Sequence, residues 1–253
     1  MSAILLFSAF SFSACKKNDN GETETTAAAE TSGLTKATTS KTVRIVDLPT
    51  SKEDQISMFN AALDFFDLYC YSFTKDVRCS VSNVSVGSLS SASNAVEAFK
   101  SVFGETETSN NYVYQTGQES FSENSMKSGF TSADVVLADV KQEDSDIILT
   151  VKFPNESNPS EKNGQLHKLT TEYLSAEKVK KNLSEFNSSA GSVNVSASDI
   201  EVTVVLNSLN SSLKGLTLSF TENFSLGSVK LVQLEGSSVT GTSKTTVSYS
   251  NIK

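Results

Sequence analysis

Three stretches near the C-terminus alternate between apolar and polar residues: IEVTVVL (200–206), LTLSFTENFSL (216–226) and VTGTSKTTVSYS (239–250). Successive side chains of a β-strand point to opposite faces of a sheet, so each stretch gives a strand with one apolar and one polar face. Such two-sided strands are typical of antiparallel sheets, whereas the strands of parallel βαβ sheets are apolar on both faces. These stretches therefore predict an antiparallel sheet.

The same period of two extends the predicted sheet toward the N-terminus. We expect strands over about 71–86, 112–121, 133–140, 146–153, 166–173 and 228–235. The apolar positions of the first strand change phase near Asn83, which predicts a β-bulge there. The strands 133–140 and 146–153 are expected to form a hairpin that turns at Glu143–Ser145.

Three segments have the spacing of amphipathic helices. The first is expected over 51–69, where a capping box is formed either by Thr50 with Glu53 or by Ser51 with Asp54. The second is expected near 93–103 and the third near 175–187, with Ser175 as its N-cap. Each apolar stripe needs a partner surface, which the apolar face of the sheet supplies. The sequence thus predicts an α+β domain over 43–253, with a curved, half-barrel-like antiparallel sheet and about three helices on one face.

The N-terminal residues have the features of a sorting signal. The apolar run Ile4–Phe12 is too short to span a membrane but suits the apolar region of a signal peptide. It is followed by Ser13, Ala14 and Cys15, which resemble the lipobox of bacterial lipoproteins. The resemblance implies that residues 1–14 are a signal peptide, that Cys15 is lipidated, and that the protein is anchored outside the cytoplasm to the cell membrane. An ordinary secretory signal or a buried N-terminal segment is the alternative.

The segment after Cys15 is predicted to be a tether. Residues 16–42 are rich in Thr, Ala, Glu, Lys, Asn and Ser, and Leu34 is their one large apolar side chain. Such a composition buries too little apolar surface to offset the entropy of ordering the chain, so we expect residues 15–42 to be disordered. The thiols of Cys70 and Cys79 could pair in an oxidising compartment, or could serve as small buried apolar groups.

Composition and motifs exclude several function classes. A formal net charge of −8 disfavours nucleic-acid binding, which needs a basic surface. His167 is the sole histidine and has no ligand-spaced Cys or His beside it, so we expect a surface strand residue and no metal site. The Ser-x-x-Lys motifs at Ser72, Ser175 and Ser211 lack the other elements of a penicillin-binding site. We therefore expect a protein that is not an enzyme and has no cofactor.

The order of helices and long amphipathic strands resembles the half-barrel of the LolA/LppX superfamily. The C-terminal run from Ile200 to Ile252 is also similar to uncharacterised lipoproteins of Gram-positive gut bacteria. In the LolA/LppX superfamily a concave sheet beneath helices holds a lipid or an acyl chain. The resemblance implies the same general arrangement here, over most of residues 43–253.

The predicted function is binding of an apolar or amphiphilic ligand between sheet and helices, by a monomer. Its candidate residues are the phenylalanines of the helix faces: Phe59, Phe66, Phe99, Phe103 and Phe186. These rings could instead simply fill a core. The other candidate function is a structural or adhesive module whose polar Ser and Thr faces contact cell-wall or host polymers.

Overall fold

The computed structural model describes residues 47–87, 99–100, 102–103, 105–113, 126–185, 187–231 and 234–253. Within this part of the chain the bounds of three helices and eight strands are defined. In chain order they are α1 (Lys52–Tyr69), β1 (Ser72–Val86), β2 (Thr106–Val113), β3 (Leu137–Glu143), β4 (Asp146–Lys152), β5 (Glu156–Ser157), α2 (Leu166–Leu169), α3 (Ala176–Glu185), β6 (Ser192–Asn207), β7 (Leu213–Leu231) and β8 (Leu234–Ser250).

The eight strands form a single open sheet. Their order is β2-β1-β8-β7-β6-β4-β3, and the short β5 pairs with β6 beside this path. Every strand pair is antiparallel, which confirms the predicted sheet type. The strand that follows the first helix therefore lies between β2 and the last strand of the chain.

Three strands of the sheet contain a β-bulge at which one residue has a positive φ, in the left-handed region. Pairing of β1 with β8 shifts between Ser82 and Ser85, and Asn83 between them has φ of 53°. Asp199 in β6 and Ser228 in β7 have φ of 53° and 51° at the corresponding register shifts. The predicted bulge near Asn83 is confirmed. A bulge bends its strand and increases the local twist.

The C-terminal strands are fewer and longer than the sequence suggests. The predicted break between the strands 216–226 and 228–235 is wrong, because β7 continues through Ser228 to Leu231. The bulge at Ser228 interrupts the alternation without ending the ladder, since Val229 still pairs with Ser237. Leu231 pairs with Leu234, so residues 234–235 of the predicted strand 228–235 belong to β8, whereas residues 232–233 lie outside the described residues.

Helix α1 begins and packs as the sequence predicts. Ser51 is its N-cap, and the Ser51 Oγ accepts a hydrogen bond of 3.1 Å from the Asp54 N–H. Of the two proposed capping residues, Ser51 is therefore the N-cap, and its Oγ also donates a hydrogen bond of 2.7 Å to the Asp54 Oδ2. The buried face of α1 includes Ile56, Phe59 and Phe66. This face joins buried side chains of the sheet in one hydrophobic cluster.

The predicted strand over 166–173 is wrong, because residues Leu166–Leu169 form the single helical turn α2. Leu166 and Leu169 are three residues apart, so one turn buries both of them. The buried carboxylate of Glu156 accepts hydrogen bonds from the N–H groups of Gln165 and Leu166, the latter at 2.9 Å. This side chain satisfies the first donors of the turn and stabilises it over an extended conformation.

Helix α3 confirms the third predicted helix, although Phe186 lies outside the described residues. The Ser175 Oγ accepts a hydrogen bond of 3.1 Å from the Lys178 N–H, as an N-cap does. Val179 and Leu183 form its buried stripe. In the predicted helix 93–103, the described residues Phe99, Lys100 and Val102 are helical.

Two strands begin at other positions than predicted. The predicted strand over 112–121 is preceded by the polar residues 106–111, which form most of β2. They pair with β1 at the edge of the sheet and are exposed on both faces, so no apolar period marks them. The first strand of the confirmed hairpin starts at Leu137 rather than 133, because Asp134 accepts hydrogen bonds from the N–H and Oγ of Thr131 and closes a turn.

The buried face of the sheet supports two hydrophobic clusters. The larger contains residues of α1, α2 and most strands, including Phe59, Phe66, Phe73 and Tyr249. The smaller contains Val179 and Leu183 of α3 together with Phe99, Phe103, Phe224 and Val239. The two clusters lie at different positions along the same long strands.

Candidate functional site

The predicted ligand residues are divided between the two clusters. The rings of Phe59 and Phe66 are buried in the larger cluster, where Phe66 lies 5.0 Å from Phe73 and 4.9 Å from Tyr249, between ring centroids. Phe99 and Phe103 are buried in the smaller cluster, with centroids 6.1 Å apart. Phe186 and Cys15 lie outside the described residues. The structure therefore does not assemble the described phenylalanines in one cavity.

Polar side chains interrupt the apolar face of the sheet between the two clusters. Lys75, Glu222, Ser243 and Thr245 are buried on this face at positions that the alternating pattern assigns to apolar residues. The strand register brings Glu222, Ser243 and Thr245 together, since Glu222 lies opposite Ser243, and Cys79 of β1 lies opposite Thr245. Lys75 lies further along β1, opposite Tyr249. The result is a buried polar zone that crosses β1, β8 and β7.

A pocket of about 380 Å³ opens onto this polar zone. Strands β1, β8 and β7 provide one side of it, and the segment before α3 together with α3 itself provides another. Its lining combines apolar, charged and hydroxyl-bearing side chains: Val77, Cys79, Phe103, Thr106, Thr171, Glu172, Tyr173, Leu174, Lys178, Lys181, Asn182, Glu222 and Thr245. Of the phenylalanines predicted as ligand residues, Phe103 lines this pocket.

Glu222 contributes a buried carboxyl group with a shifted pKa to the lining of the pocket. Its Oε1 accepts a hydrogen bond of 2.7 Å from the Leu174 N–H, whereas its Oε2 has no hydrogen-bond partner among the described residues. Burial raises the pKa of Glu222 to about 8, and the Leu174 N–H and the Lys178 ammonium oppose this rise only in part. The carboxyl group is therefore mostly protonated at neutral pH, and Oε2 can then donate a hydrogen bond.

Two lysines contact the segment between α2 and α3, Lys178 from α3 and Lys75 from strand β1. The Lys178 Nζ donates hydrogen bonds to the carbonyl oxygens of Thr171 and Tyr173, the second at 3.0 Å, and lies 4.6 Å from the centroid of the Tyr173 ring. Burial lowers the pKa of Lys178, opposed by the nearby glutamates. The Lys75 Nζ lies 2.7 Å from the Glu172 Oε1.

The two described cysteines are free thiols, so Cys70 and Cys79 do not pair. Cys79 is half-buried in the pocket lining, and its Sγ lies 3.1 Å from the Ser243 Oγ. Cys70 is buried at the end of α1, where its Sγ donates to the carbonyl of Ser72 at 3.2 Å. Burial raises the pKa of the Cys70 thiol.

The lone histidine is not placed as the sequence predicts. His167 lies in helix α2 and is half-buried, rather than on a surface strand. In the part of the chain that the structure describes, no three His, Cys, Asp or Glu side chains converge on a point where a metal ion could bind.

A second hollow lies on the polar face of the sheet. It has a volume of about 530 Å³, and its lining comes from β1, β2 and β8: Asp76, Arg78, Glu107, Thr108, Ser109, Thr246 and Ser248. Arg78 and Glu107 form an exposed salt bridge of 2.8 Å across β1 and β2. The hollow is charged and hydroxyl-rich.

Comparison with protein-family models, curated proteins and solved structures finds no match for this chain. Among the helices in the described ranges, none has both the length and the hydropathy required to cross a bilayer.

The sequence analysis missed the polar residues of the pocket, although their spacing contained a signal. Glu222 is in phase with Phe220 and Phe224 on β7, and Lys75 is in phase with Phe73 and Val77 on β1. A charged residue at an apolar position of an alternating strand is either buried or marks an interruption of the core. Here both Lys75 and Glu222 are buried. Glu222 lines the pocket, and Lys75 forms a salt bridge with Glu172, which also lines it.

Proposed function

We propose that this chain is a non-enzymatic, lipid-anchored binding protein outside the cytoplasm, whose domain takes an amphiphilic ligand between sheet and helices. The observation that carries the proposal is the pocket of about 380 Å³ at that position. Its volume lies within the range of about 300–1,000 Å³ that is common for small-molecule sites. Its lining pairs Phe103, Val77 and Leu174 with charged groups, as a ligand with an apolar and a polar part requires.

The proposed sheet geometry is the curved half-barrel of the LolA/LppX type. The bulges at Asn83, Asp199 and Ser228 support it, because they occur in β1, β6 and β7 and each bends its strand. A bent sheet forms a concave face on which helices can rest without filling all the space. The pocket between α3 and the sheet is such a space.

The proposal is for binding rather than turnover. The thiol nearest the pocket, Cys79, contacts the hydroxyl of Ser243 and not a general base. The Glu222 carboxyl contacts a backbone N–H, and the Lys178 ammonium contacts backbone carbonyls. These contacts position polar groups for recognition.

Anchoring is proposed through Cys15. If labelled palmitate is supplied to cells that express the chain, the label should enter the wild type and should be absent from Cys15→Ala. Cys70→Ala is the matched control and should keep the label, because its thiol is buried in the domain. Label that persists in Cys15→Ala would contradict the anchor.

Ligand binding is tested by extracting the purified full chain with organic solvent and identifying what is released by mass spectrometry. We expect an amphiphile in the wild type. Lys181→Trp, which adds a bulky ring to an exposed position of the lining, should reduce the amount released. Lys180→Trp is the matched control, since Lys180 is exposed on the same helix but does not line the pocket. An extract without amphiphile, together with no binding of added amphiphiles, would contradict the proposal.

Adhesion to polymers is the second candidate function, and the hollow on the polar face favours it. Its hydroxyls and its Arg78–Glu107 pair suit contact with a hydrated polysaccharide. The full chain should then be retained on peptidoglycan or mucin, and Arg78→Ala should reduce retention relative to Lys141→Ala, an exposed lysine on β3. Absence of retention would exclude this candidate.

A further inference from the structure

We infer that the pocket recognises the carboxylate of a monocarboxylic amphiphile, which it holds between the carboxyl group of Glu222 and the ammonium group of Lys178. The inference rests on the proposed function and specifies the polar part of its ligand. It is carried by two unused hydrogen-bonding positions in the pocket.

The first position is the Oε2 of Glu222. The side chain has no exposed surface, and Oε2 has no partner among the described residues, although Oε1 is hydrogen-bonded to the Leu174 N–H. An unpartnered buried polar atom is costly, so a site of this kind indicates a missing partner. Burial keeps this carboxyl group protonated at neutral pH, which makes Oε2–H a donor and calls for an acceptor on the ligand.

The second position is the third N–H of Lys178. An ammonium group has three donors, and Lys178 gives two of them to the carbonyls of Thr171 and Tyr173. The remaining donor also calls for an acceptor. A carboxylate has two oxygens, so it can accept from Oε2–H of Glu222 and from Lys178 at the same time.

Charged groups of both signs surround Glu222. Lys178 and Lys181 on α3 and Lys75 on β1 are positive, whereas Glu161 before α2 and Glu172 after it are negative. Two further carboxylates act on Tyr173 of the lining: Glu177 of α3, and Glu156 of β5, which lies opposite Ala197, the β6 partner of Glu222. On β8 the neighbouring side chains are the neutral Ser243 and Thr245. The preference for an anion therefore comes from the two donors in the pocket and not from a surplus of positive charge.

Binding should then weaken as the pH rises through the titration of Glu222. Ionisation removes the Oε2 donor and places a negative charge beside the ligand carboxylate. With a pKa of about 8 for Glu222, affinity at about pH 9 should be about tenfold lower than at about pH 6. Deprotonation of Lys178 would act in the same direction, so a variant at Glu222 is needed to separate the two groups.

The test measures binding of decanoate, decanol and decylamine to the full chain by calorimetry, because these probes share one alkyl chain and differ in the head. We expect decanoate to bind about tenfold or more tightly than either of the others at neutral pH. Glu222→Gln, which keeps an amide donor at the same place, should retain decanoate binding and lose most of its pH dependence. Lys178→Met should lower the affinity for decanoate about tenfold and leave the affinity for decanol unchanged. Retained binding of decanol also shows that the pocket persists in this variant.

Lys180→Met is the matched control for Lys178→Met and should bind decanoate like the wild type. Equal affinities for the three probes, tighter binding of decylamine, or an unchanged pH dependence in Glu222→Gln would overturn this inference while leaving the binding function in place. If none of the probes binds, both the inference and the proposed function are wrong.

Discussion

The ammonium group of Lys75 and the carboxylate of Glu172, which lines the pocket, form a salt bridge of 2.7 Å, and only 4% of the Lys75 side chain is exposed. Lys75 lies on β1 at an apolar position of the strand, whereas Glu172 belongs to the segment between α2 and α3 and is 35% exposed. The pair therefore ties a connecting segment to an interior strand of the sheet.

Loss of the Glu172 carboxylate should destabilise the fold. Glu172→Gln removes the counter-charge of a buried ammonium group, and we expect a loss of about 1–2 kcal/mol in the free energy of unfolding, after allowance for the partial exposure of Glu172. Urea unfolding measures it. Glu143→Gln, which breaks the exposed Lys141–Glu143 pair, is the matched control and should change stability by less than about 0.5 kcal/mol. Equal effects of the two variants would contradict the role given to burial.

Glu222 should make the fold less stable as the pH rises. Its pKa is raised from 4.5 to about 8, so the folded chain keeps a proton that the unfolded chain releases. Between these two values stability decreases with pH relative to Glu222→Gln, and above about pH 8 the difference stays constant. We expect the variant to be more stable there by about 2–4 kcal/mol, and equal to the wild type below about pH 4.5.

Unfolding in urea at about pH 5 and about pH 8.5 checks this prediction, with the exposed Glu185→Gln as control. The control should give the same difference from the wild type at both pH values. A Glu222→Gln difference that does not grow with pH would show that the carboxyl group is ionised in the folded chain.

Gly241 should not tolerate a side chain. A Cβ atom at this position would lie 2.2 Å from the Cζ of Phe224, and the Phe224 ring cannot easily retreat because it stacks on Phe103 at a centroid distance of 3.4 Å. Gly241→Ala should therefore cost about 1–3 kcal/mol in thermal or urea unfolding. The exposed Thr240→Ala should cost less than about 0.5 kcal/mol. Combining Gly241→Ala with Phe224→Leu should lose less stability than the sum of the two changes, because the smaller side chain leaves room.

The two described thiols should differ in reactivity. Cys79 is half-exposed in the pocket, whereas Cys70 is buried and its pKa is raised by that burial. Since the thiolate is the reactive form, iodoacetamide should modify Cys79 about tenfold or more faster than Cys70. Peptide mass mapping gives both rates, and Cys79→Ser identifies the peptide. Similar rates for the two thiols would contradict the placement of Cys79 at the pocket.

The antiparallel sheet could be predicted because the alternation of apolar and polar residues is present within the sequence of each long strand. In β7 the apolar residues Leu216, Leu218 and Phe220 repeat every second position, and only a half-buried strand requires that period. Helix α1 was equally predictable, since Ser51 and the apolar stripe are local features. The turn α2 was not, because Leu166 and Leu169 fit either period over so short a span and Glu156, which stabilises the turn, lies outside it.

The pocket could be predicted only in part, because it depends on register. The phase of Glu222 and of Lys75 can be read along each strand, but the sequence does not say that Glu222 lies opposite Ser243 or Cys79 opposite Thr245. Nor does it place Glu172 on Lys75, a contact that joins distant segments through the fold. The phenylalanines of the helix faces were predicted to contact a ligand, yet the rings of those described pack against other aromatic rings.

The position of β1 beside β8 has a consequence for biogenesis. Val77 lies opposite Val247, so an interior strand of the sheet finds one of its two neighbours only when the last strand has been synthesised. Contacts of such high contact order form slowly and cannot form on a nascent chain that is still incomplete. The complete sheet therefore forms only after β8 has been synthesised, whereas the local pairs β3–β4 and β6–β7 do not depend on β8.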